Sequence, residues 1–261
     1  MIHAEDRERM ILAMLKDRGF VSFRELDKRL AASPATLRRD LERLSTEGRV
    51  VRVHGGVKIR ESGSSGLTGV PFHENVKKNS AAKAAIGKAA AELCVAGESI
   101  IIDGGSTTLQ MCPHLADLGL HVVTNSLHIV SALLPQPGTR VSMPAGTVFR
   151  EQNIVLASFE DDGSNHYSAT KMFIGTASVS ARGIMQTDII LMQAERRLIS
   201  RVQRIVLLAD SSKFRALAGP VVCALDKVTT VVTDDGITPS VARMIKRAGV
   251  QLVVAKVGAA A

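Results

Sequence analysis

Residues 33–44 constrain the fold of this chain more than any other stretch. Ser33 is a good N-cap and Pro34 suits the first helical position, so the sequence predicts that a helix begins here. Three leucines recur at i, i+4 and i+7 from Leu37 and form one apolar stripe. The other faces are basic and begin with short side chains, which suits insertion into the major groove of DNA. An ordinary surface helix has the same pattern, so the neighbouring segments must decide between the two.

Those neighbouring segments complete a winged helix-turn-helix pattern. Apolar residues at helical spacing predict two further helices, over about residues 6–18 and 23–31, that share one small core with the basic helix. Two runs rich in β-branched residues, 49–53 and 57–60, predict a hairpin with basic positions along it. His54, at the turn, is by itself more typical of a turn histidine than of a DNA contact. The candidate contacts to double-stranded DNA are Ser33, Ala35, Thr36, Arg38, Arg39, Arg43, Arg52 and His54.

Charge and composition favour duplex nucleic acid as the partner of this segment. Residues 1–60 carry 14 Lys and Arg against 9 Asp and Glu, whereas the whole chain carries 33 against 25. The positive excess is therefore concentrated near the basic helix, where it would attract a polyanion. The chain has no Trp, one Tyr and seven Phe. Stacking of single-stranded bases on aromatic rings is therefore not expected.

The cysteines and the amino-terminal segment indicate a cytoplasmic protein. Cys94, Cys112 and Cys223 are odd in number and widely spaced, so we expect buried thiols rather than a disulfide framework or a metal site. No charged-then-apolar leader follows Met1, and no apolar run reaches the roughly 18 residues of a membrane span. The sequence therefore predicts neither secretion nor membrane insertion.

The rest of the chain predicts a second, larger domain of the α/β class. A Gly- and Ser-rich segment suggests a DNA-binding domain over 1–60, a linker over 61–78 and an α/β domain over 79–261. An Ala-rich stretch, 79–96, predicts a helix. Short β-branched runs then alternate with helical sequence, at 99–102, 121–123, 172–174, 205–208, 228–232 and 250–254. This alternation predicts a mainly parallel sheet covered by helices on both faces.

Three of these predicted strands end in polar residues, and small ligands bind at that end of such sheets. The first loop, 103–108, offers glycine backbone, three hydroxyls and the free amides of a helix predicted over 109–115, which suit a phosphate. A capped strand-to-helix turn would have the same sequence. The other two segments are 124–126 and 209–213, and the latter brings Lys213 beside a carboxylate.

The amino-terminal motifs resemble those of the DeoR family of bacterial transcriptional regulators. Residues 30–41 contain Ser-x-x-Thr-x-Arg-Arg-Asp-Leu, and Gly48 and a His-Gly-Gly wing within 52–56 follow at the expected separation. The polar loops of the larger domain, with 171–175 and 183–188, resemble the sugar-phosphate sensor domain of the same family. The resemblance thus covers nearly the whole chain.

The sensor domain of that family is similar in fold to ribose-5-phosphate isomerase and the coenzyme A transferases. The resemblance implies that residues 105–108 hold a phosphate, and that Asn125, Asp210 and Lys213 contact the sugar end of the effector. Residues 143–146 read Met-Pro-Ala-Gly where the family often has a Gly-Gly pair, so this loop departs from the family pattern. The full set of effector-binding residues implied in this way is Asp103, Gly104, Gly105, Ser106, Thr107, Thr108, Asn125, Gly175, Asp188, Asp210 and Lys213.

The resemblance also implies a function. We expect a repressor of a carbohydrate-utilisation operon that a phosphorylated sugar or sugar acid releases from its operator. It would act as a homo-oligomer, a dimer or tetramer on repeated half-sites, without cofactor, metal or catalytic residues. Residues 166–188 look closer to the ascorbate-type branch of the family, whose effector is a phosphorylated sugar acid.

The alternative is a sugar-phosphate isomerase with an appended DNA-binding domain. Isomerases of this fold carry paired acidic residues after the strand that corresponds to 172–174. This chain has Gly-Thr-Ala-Ser at 175–178 instead. Proton transfer needs a base within reach of the carbon acid, so the sequence favours a regulator over an enzyme.

Overall fold

A computed structural model describes residues 4–18, 20–30, 32–47, 49–53, 56–59, 70–157, 163–215 and 219–258. The chain divides into two compact units, Met1–Ser65 and Gly66–Ala261. The linker predicted over 61–78 lies outside the described residues as far as 69. Its last part includes a one-turn helix, α4 (Phe72–Asn75), whose first amide donates to the carbonyl of Glu151 in the larger unit.

The smaller unit combines helices with a small antiparallel sheet. Its described elements are α1 (Ala4–Arg18), β1 (Phe20–Ser22), α2 (Phe23–Arg29), α3 (Pro34–Thr46), β2 (Val50–Val53) and β3 (Gly56–Ile59). Among the described residues, the strands pair antiparallel in the order β1-β3-β2. The helices and the antiparallel pair β2-β3 agree with the predicted winged helix-turn-helix, whereas β1 was not predicted.

The core of the smaller unit follows the predicted apolar stripes. Leu37, Leu41 and Leu44 on α3 are buried together with Ile11 and Leu15 on α1. Burying each such side chain stabilises the fold by about 1.5–3 kcal/mol. Met10, which has the same helical spacing, lies on the exposed side of α1. The buried stripe of α3 therefore fixes which of its faces points to solvent.

The larger unit is built on a parallel sheet, as predicted. The described helices are α4, α5 (Ser80–Ala91), α6 (Leu127–Leu133), α7 (Ile189–Ile199) and α8 (Pro239–Arg247). The described strands are β4 (Ser99–Ile102), β5 (His121–Val123), β6 (Arg140–Ser142), β7 (Thr147–Phe149), β8 (Ile154–Leu156), β9 (Ala169–Ile174), β10 (Ser178–Ser180), β11 (Gly183–Met185), β12 (Val202–Leu208), β13 (Val221–Cys223), β14 (Thr230–Asp234) and β15 (Gln251–Ala255).

In the described part of this unit, a seven-stranded sheet has the order β15-β14-β12-β9-β4-β5-β6, and all of its pairs are parallel. Two hydrophobic clusters lie on its opposite faces. One contains α5 and α6, the other α7 and α8. Burial on both faces explains why the strands read as continuous apolar runs. The hairpin β7-β8 and the antiparallel set β10-β11-β13 were not predicted.

Two predicted helices differ from those in the structure. The helix expected over 79–96 ends at Ala91, and beyond it the amide of Val95 donates to the carboxylate of Glu98 at 2.8 Å instead of continuing a helical ladder. The helix expected over 109–115 is a 3₁₀ helix, Thr108–His114, which contains Pro113 and therefore lacks one amide donor.

A charged cluster lies at the amino ends of β4 and β9. The ammonium group of Lys171 donates to both carboxylate oxygens of Glu98, at 2.8 and 2.9 Å, and the hydroxyl of Thr170 donates to the second at 2.7 Å. These hydrogen bonds lower the pKa of Glu98, although its burial acts in the opposite direction. The cluster ties the two central strands together at the end of the sheet opposite the loop 103–108.

Two remaining features are the burial of the cysteine thiols and the length and polarity of the helices. Cys112 is buried, whereas Cys94 and Cys223 are half-buried, and all three thiols are free. Within the described ranges, no helix is long and apolar enough to cross a membrane.

Candidate functional sites: the basic helix and a polar pocket

The basic helix α3 begins where the sequence predicts. The hydroxyl of Ser33 accepts the amide of Thr36 at 3.2 Å, and Pro34 occupies the first turn. Ser33, Ala35, Arg38 and Arg39 are exposed, and Thr36 is half-buried. The exposed side of the helix thus presents small residues first and arginines afterwards.

A buried ion pair holds α3 against α1. The guanidinium group of Arg7 donates to both carboxylate oxygens of Asp40, at 2.8 and 3.3 Å, and both side chains are about nine-tenths buried. The hydrogen bond to Asp40 raises the pKa of Arg7. Because the pair is bidentate, it resists rotation of α3 about its own axis. The sequence motif placed Asp40 on the helix but did not indicate its partner.

The arginines of α3 have different surroundings. Arg43 forms an ion pair with Glu8 of α1, and its side chain is 48% exposed. The guanidinium carbon of Arg38 lies 5.8 Å from the ring centre of Phe23, at a distance suited to a cation–π contact. Arg39 is exposed, and the described residues provide no partner for it.

The two candidate DNA contacts on the wing are not described at side-chain level. The backbone of Arg52 lies in β2, but its side chain lies outside the described residues, as does the whole of His54.

A polar pocket lies at the carboxyl ends of β4 and β9 in the larger unit. Its volume is about 230 Å³. Seven of the predicted effector-binding residues line it, namely Asp103, Gly104, Gly105, Ser106, Thr107, Gly175 and Lys213. The residues that line it but were not predicted are Val70, Phe72, Asn75, Gln152, Thr176, Ala177, Gln186, Thr187, Leu191 and Glu195.

The loop after β4 is braced from behind by two residues that do not line the pocket. The carboxamide oxygen of Asn125 accepts the amide of Gly104 at 3.1 Å. The hydroxyl of Thr108 accepts the amide of Gly105 at 3.0 Å and donates to the carbonyl of Asp103 at 2.7 Å. Asn125 and Thr108, both predicted to contact the effector, therefore hold the loop in shape in this structure.

Ser106 and Thr107 form the part of this loop that is available to a ligand. Both side chains are buried and line the pocket. In the described part of the chain, no protein acceptor is found for their backbone amides. The loop therefore has two backbone amides without a described protein acceptor and two hydroxyl side chains, groups that suit an anion, without the dipole of a full α-helix behind it.

Lys213 and two further predicted residues, Asp188 and Asp210, differ in their relation to the pocket. Lys213 lines it and is half-buried. Asp210 lies nearby but accepts hydrogen bonds from the carboxamide of Asn79 at 2.9 Å and from the amide of Ser212 at 3.1 Å. Asp188 caps α7 by accepting the amide of Ile190 at 2.7 Å. The structure thus gives Asp188 and Asp210 capping roles outside the pocket lining.

The sequence analysis missed a buried carboxyl group on the pocket wall. Glu195 of α7 is 0% exposed, and its Oε1 accepts Nε2 of Gln186 at 2.5 Å. Burial raises the pKa of Asp103 to about 6, and burial together with the charge of Asp103 raises the pKa of Glu195. A signal was available in the sequence, because Glu195 is three residues from both Met192 and Leu198 on the apolar stripe of α7.

The sequence analysis also missed a buried lysine beneath the pocket. The ammonium group of Lys83 donates to the carbonyl oxygen of Asn75, which lies in the pocket wall. Burial lowers the pKa of Lys83 to about 8. Lys83 therefore anchors the turn over 72–75 from below rather than contacting a ligand directly.

Comparison with known families settles the identity of both units. A profile of the DeoR C terminal sensor domain matches residues 78–235, and a profile of the DeoR-like helix-turn-helix domain matches residues 7–63. The chain belongs to the DeoR family. The resemblance inferred from the sequence motifs is therefore confirmed, and this DeoR-family chain is a transcriptional regulator rather than an isomerase.

Relatives of this DeoR-family chain include curated regulators of similar length. It is 29% identical over 246 residues to the HTH-type transcriptional regulator UlaR of Escherichia coli (strain SMS-3-5 / SECEC), which covers 94% of this chain and 97% of the relative. The UlaR protein of Shigella dysenteriae serotype 1 (strain Sd197) matches with the same identity and coverage.

Two solved structures are also similar to this DeoR-family chain. Ribose 5-phosphate isomerase A from Methanocaldococcus jannaschii is 16% identical, with a TM-score of 0.38 over 51% of this chain and 53% of that one. Translation initiation factor eIF-2B from Pyrococcus horikoshii OT3 is 14% identical, with a TM-score of 0.39 over 81% and 71%.

Proposed function

We propose that this DeoR-family regulator is a repressor of a carbohydrate-utilisation operon, and that a phosphorylated sugar or sugar acid in the polar pocket releases it from its operator. The observation that supports this most directly is the pocket itself. Ser106 and Thr107, for whose backbone amides the described residues provide no acceptor, line it together with Lys213, whose side chain is the positively charged group among its described lining residues. Backbone amides together with one ammonium group suit a phosphate.

The smaller unit supports the DNA-binding half of the proposal. Arg38 and Arg39 are exposed on α3, and the bidentate Arg7–Asp40 pair fixes the roll of that helix. A rigid helix that presents arginines beside small residues can reach base edges and phosphates in a major groove. One winged helix covers only a short half-site, so we propose that the protein binds as a dimer or tetramer.

Release requires the effector to prefer the form of the protein that binds DNA weakly. Its effect on DNA affinity cannot exceed its differential affinity for the two forms, and coupling of this kind is typically about 1–3 kcal/mol. The proposal therefore predicts a change of roughly 5- to 150-fold in operator affinity at saturating effector.

Fluorescence anisotropy with a labelled duplex from the promoter region of the gene's own locus tests the DNA contacts. Replacing Arg39 with Ala should cost about 1–3 kcal/mol of binding if it reads a base, or lower the salt slope by about one if it contacts a phosphate. Arg9→Ala, an exposed arginine on α1, is the matched control. Full binding by the Arg38→Ala, Arg39→Ala double variant would refute the assignment of α3.

The same assay tests the pocket when pentose phosphates, hexose phosphates and their phosphorylated sugar acids are added. Removing Lys213 takes away a hydrogen bond to a charged group, worth about 1.5–3 kcal/mol. Lys213→Ala should therefore raise the concentration needed for release by roughly 10- to 150-fold. Lys88→Ala, an exposed lysine on α5, is the control. If Lys213→Ala responds like the unmodified protein, the phosphate site lies elsewhere.

A further inference from the structure

Two buried carboxyl groups share one side of the effector pocket. Asp103 follows β4 and is 2% exposed, whereas Glu195 comes from α7 and is 0% exposed. Both line the pocket, and the charge of Asp103 helps to raise the pKa of Glu195, as expected for neighbouring carboxyl groups. We call them the carboxyl pair. Such burial is costly unless the charge is compensated, so the pair needs a physical explanation.

A single proton on Glu195 supplies the donor that two buried oxygens of the pair lack among the described groups. Oδ1 of Asp103 and Oε2 of Glu195 are buried, and within the described residues no N–H or O–H group donates to either. Two ionised carboxylates could not hydrogen bond to each other, but a protonated Glu195 can donate to Asp103. Burial raises the pKa of Asp103 only to about 6, whereas burial and the charge of Asp103 raise the pKa of Glu195 well above its ordinary value, so Asp103 is the charged partner.

Gln186 fixes the orientation of Glu195. Its carboxamide Nε2 donates to Oε1 of Glu195, which leaves the other oxygen to carry the proton toward Asp103. The pair therefore offers a ligand one buried negative charge, on Asp103, with a neutral acid beside it.

The charges around the pocket divide it into two chemically different parts. Lys213 and the loop residues Ser106 and Thr107 suit a phosphate, as the proposed function requires. The carboxyl pair suits hydroxyl groups, which can donate to Asp103. A ligand carboxylate beside Asp103 would place two like charges in a buried site and leave both without donors.

We propose that the carboxyl pair of Asp103 and Glu195 is a specificity site for hydroxyl groups, so that the effector carries a phosphate at one end and an uncharged polyhydroxy chain at the other. This inference rests on the proposed function, since it assumes a phosphorylated effector in this pocket. It narrows that effector class, because it excludes sugar acids whose carboxylate lies at the end remote from the phosphate.

Titration calorimetry on the full chain with matched probes tests the inference. The uncharged probes are glucitol 6-phosphate and ribitol 5-phosphate, and their carboxylate counterparts are 6-phosphogluconate and 5-phosphoribonate. We expect at least one uncharged probe to bind about tenfold or more tightly than its counterpart, since like charges in a buried site repel. Asp103→Asn should reduce this preference, whereas Glu195→Gln, which keeps a donor toward Asp103, should preserve it.

Infrared difference spectroscopy tests the proton without any ligand. At neutral pH we expect the carbonyl band of an un-ionised carboxylic acid, lost in Glu195→Gln and retained in Glu92→Gln, whose side chain is exposed. A spectrum that Glu195→Gln leaves unchanged would overturn the inference.

The ligand titrations separate the two ways in which the inference can fail. Equal or tighter binding of the carboxylate probes would overturn the specificity site and leave the proposed function intact. Binding of none of the four probes, in a protein that shows the acid band, would count against the phosphorylated effector itself and so remove both proposals.

Discussion

Replacing Asp103 with Asn should stabilise the larger unit at neutral pH. The pKa of Asp103 is about 6 in the folded chain because the carboxyl is buried, whereas an unfolded chain gives Asp a pKa near 3.9. The folded state therefore binds this proton more tightly than the unfolded state does. The stability that results is fully present below about pH 4 and is lost as the pH rises to about 6.

The magnitude follows from the two pKa values. This pKa difference lowers the free energy of unfolding by about 3 kcal/mol when the pH is raised from about 3 to about 7, at 1.36 kcal/mol for each pKa unit. Asn cannot ionise, so Asp103→Asn avoids this loss. Its stability relative to the unmodified protein should rise by up to about 3 kcal/mol across that range. Removing the charge of Asp103 also relieves Glu195, which acts in the same direction.

Urea unfolding followed by tyrosine fluorescence measures this effect in the larger unit alone. The chain has one Tyr and no Trp, and Tyr167 lies in the larger unit. Asp117→Asn, an exposed carboxyl in the same unit, is the control for general charge effects. If the difference in stability between Asp103→Asn and the unmodified protein is the same at about pH 4 and about pH 7, the carboxyl pair does not oppose folding as argued.

Three further changes should have separable outcomes. Leu37→Ala leaves a cavity in the core of the smaller unit and should lower its unfolding free energy by about 2–5 kcal/mol, measured by circular dichroism; a loss below 1 kcal/mol would contradict the packing. Asp40→Asn breaks the bidentate contact with Arg7, so we expect a lower melting temperature of the smaller unit and weaker operator binding; unchanged binding would show that the pair does not orient α3. Gly104→Ala places a Cβ 2.5 Å from Cγ2 of Ile154, so we expect release by the effector to be impaired more strongly than DNA binding. Normal release would refute the close packing of the loop.

Local patterns in the sequence predicted most of the architecture. Capping by Ser33, the first-turn Pro34 and the leucine stripe from Leu37 depend on neighbours within a few residues, and all three were found in the structure. The parallel sheet followed from continuous apolar strands, because burial on both faces removes the alternation of an exposed sheet.

The differences arose where distant residues decide the local structure. Val95 donates to Glu98 instead of extending α5, and Pro113 leaves the helix after the pocket loop in a 3₁₀ form. The strands of the β7-β8 hairpin are too short to produce a clear period in the sequence. Element boundaries were therefore less predictable than element types.

The candidate site was predicted in outline but not in its division of roles. The sequence identified polar strand ends, and the structure brings Asp103, Gly175 and Lys213 to one pocket. Asn125 supports the loop from behind, and Glu195 enters from a helix. Whether a polar side chain contacts a ligand or a backbone amide depends on sub-ångström placement, which residue type and spacing do not encode.

The Glu98–Lys171 ion pair has a consequence for how such regulators can diversify. It fastens the central strands at the sheet end that faces away from the pocket, whereas the opposite end carries the groups that select a ligand. Substitutions that change the ligand specificity of the pocket therefore leave the Glu98–Lys171 ion pair unchanged. A protein designer could accordingly exchange pocket residues to obtain sensors for other metabolites while keeping one robust scaffold.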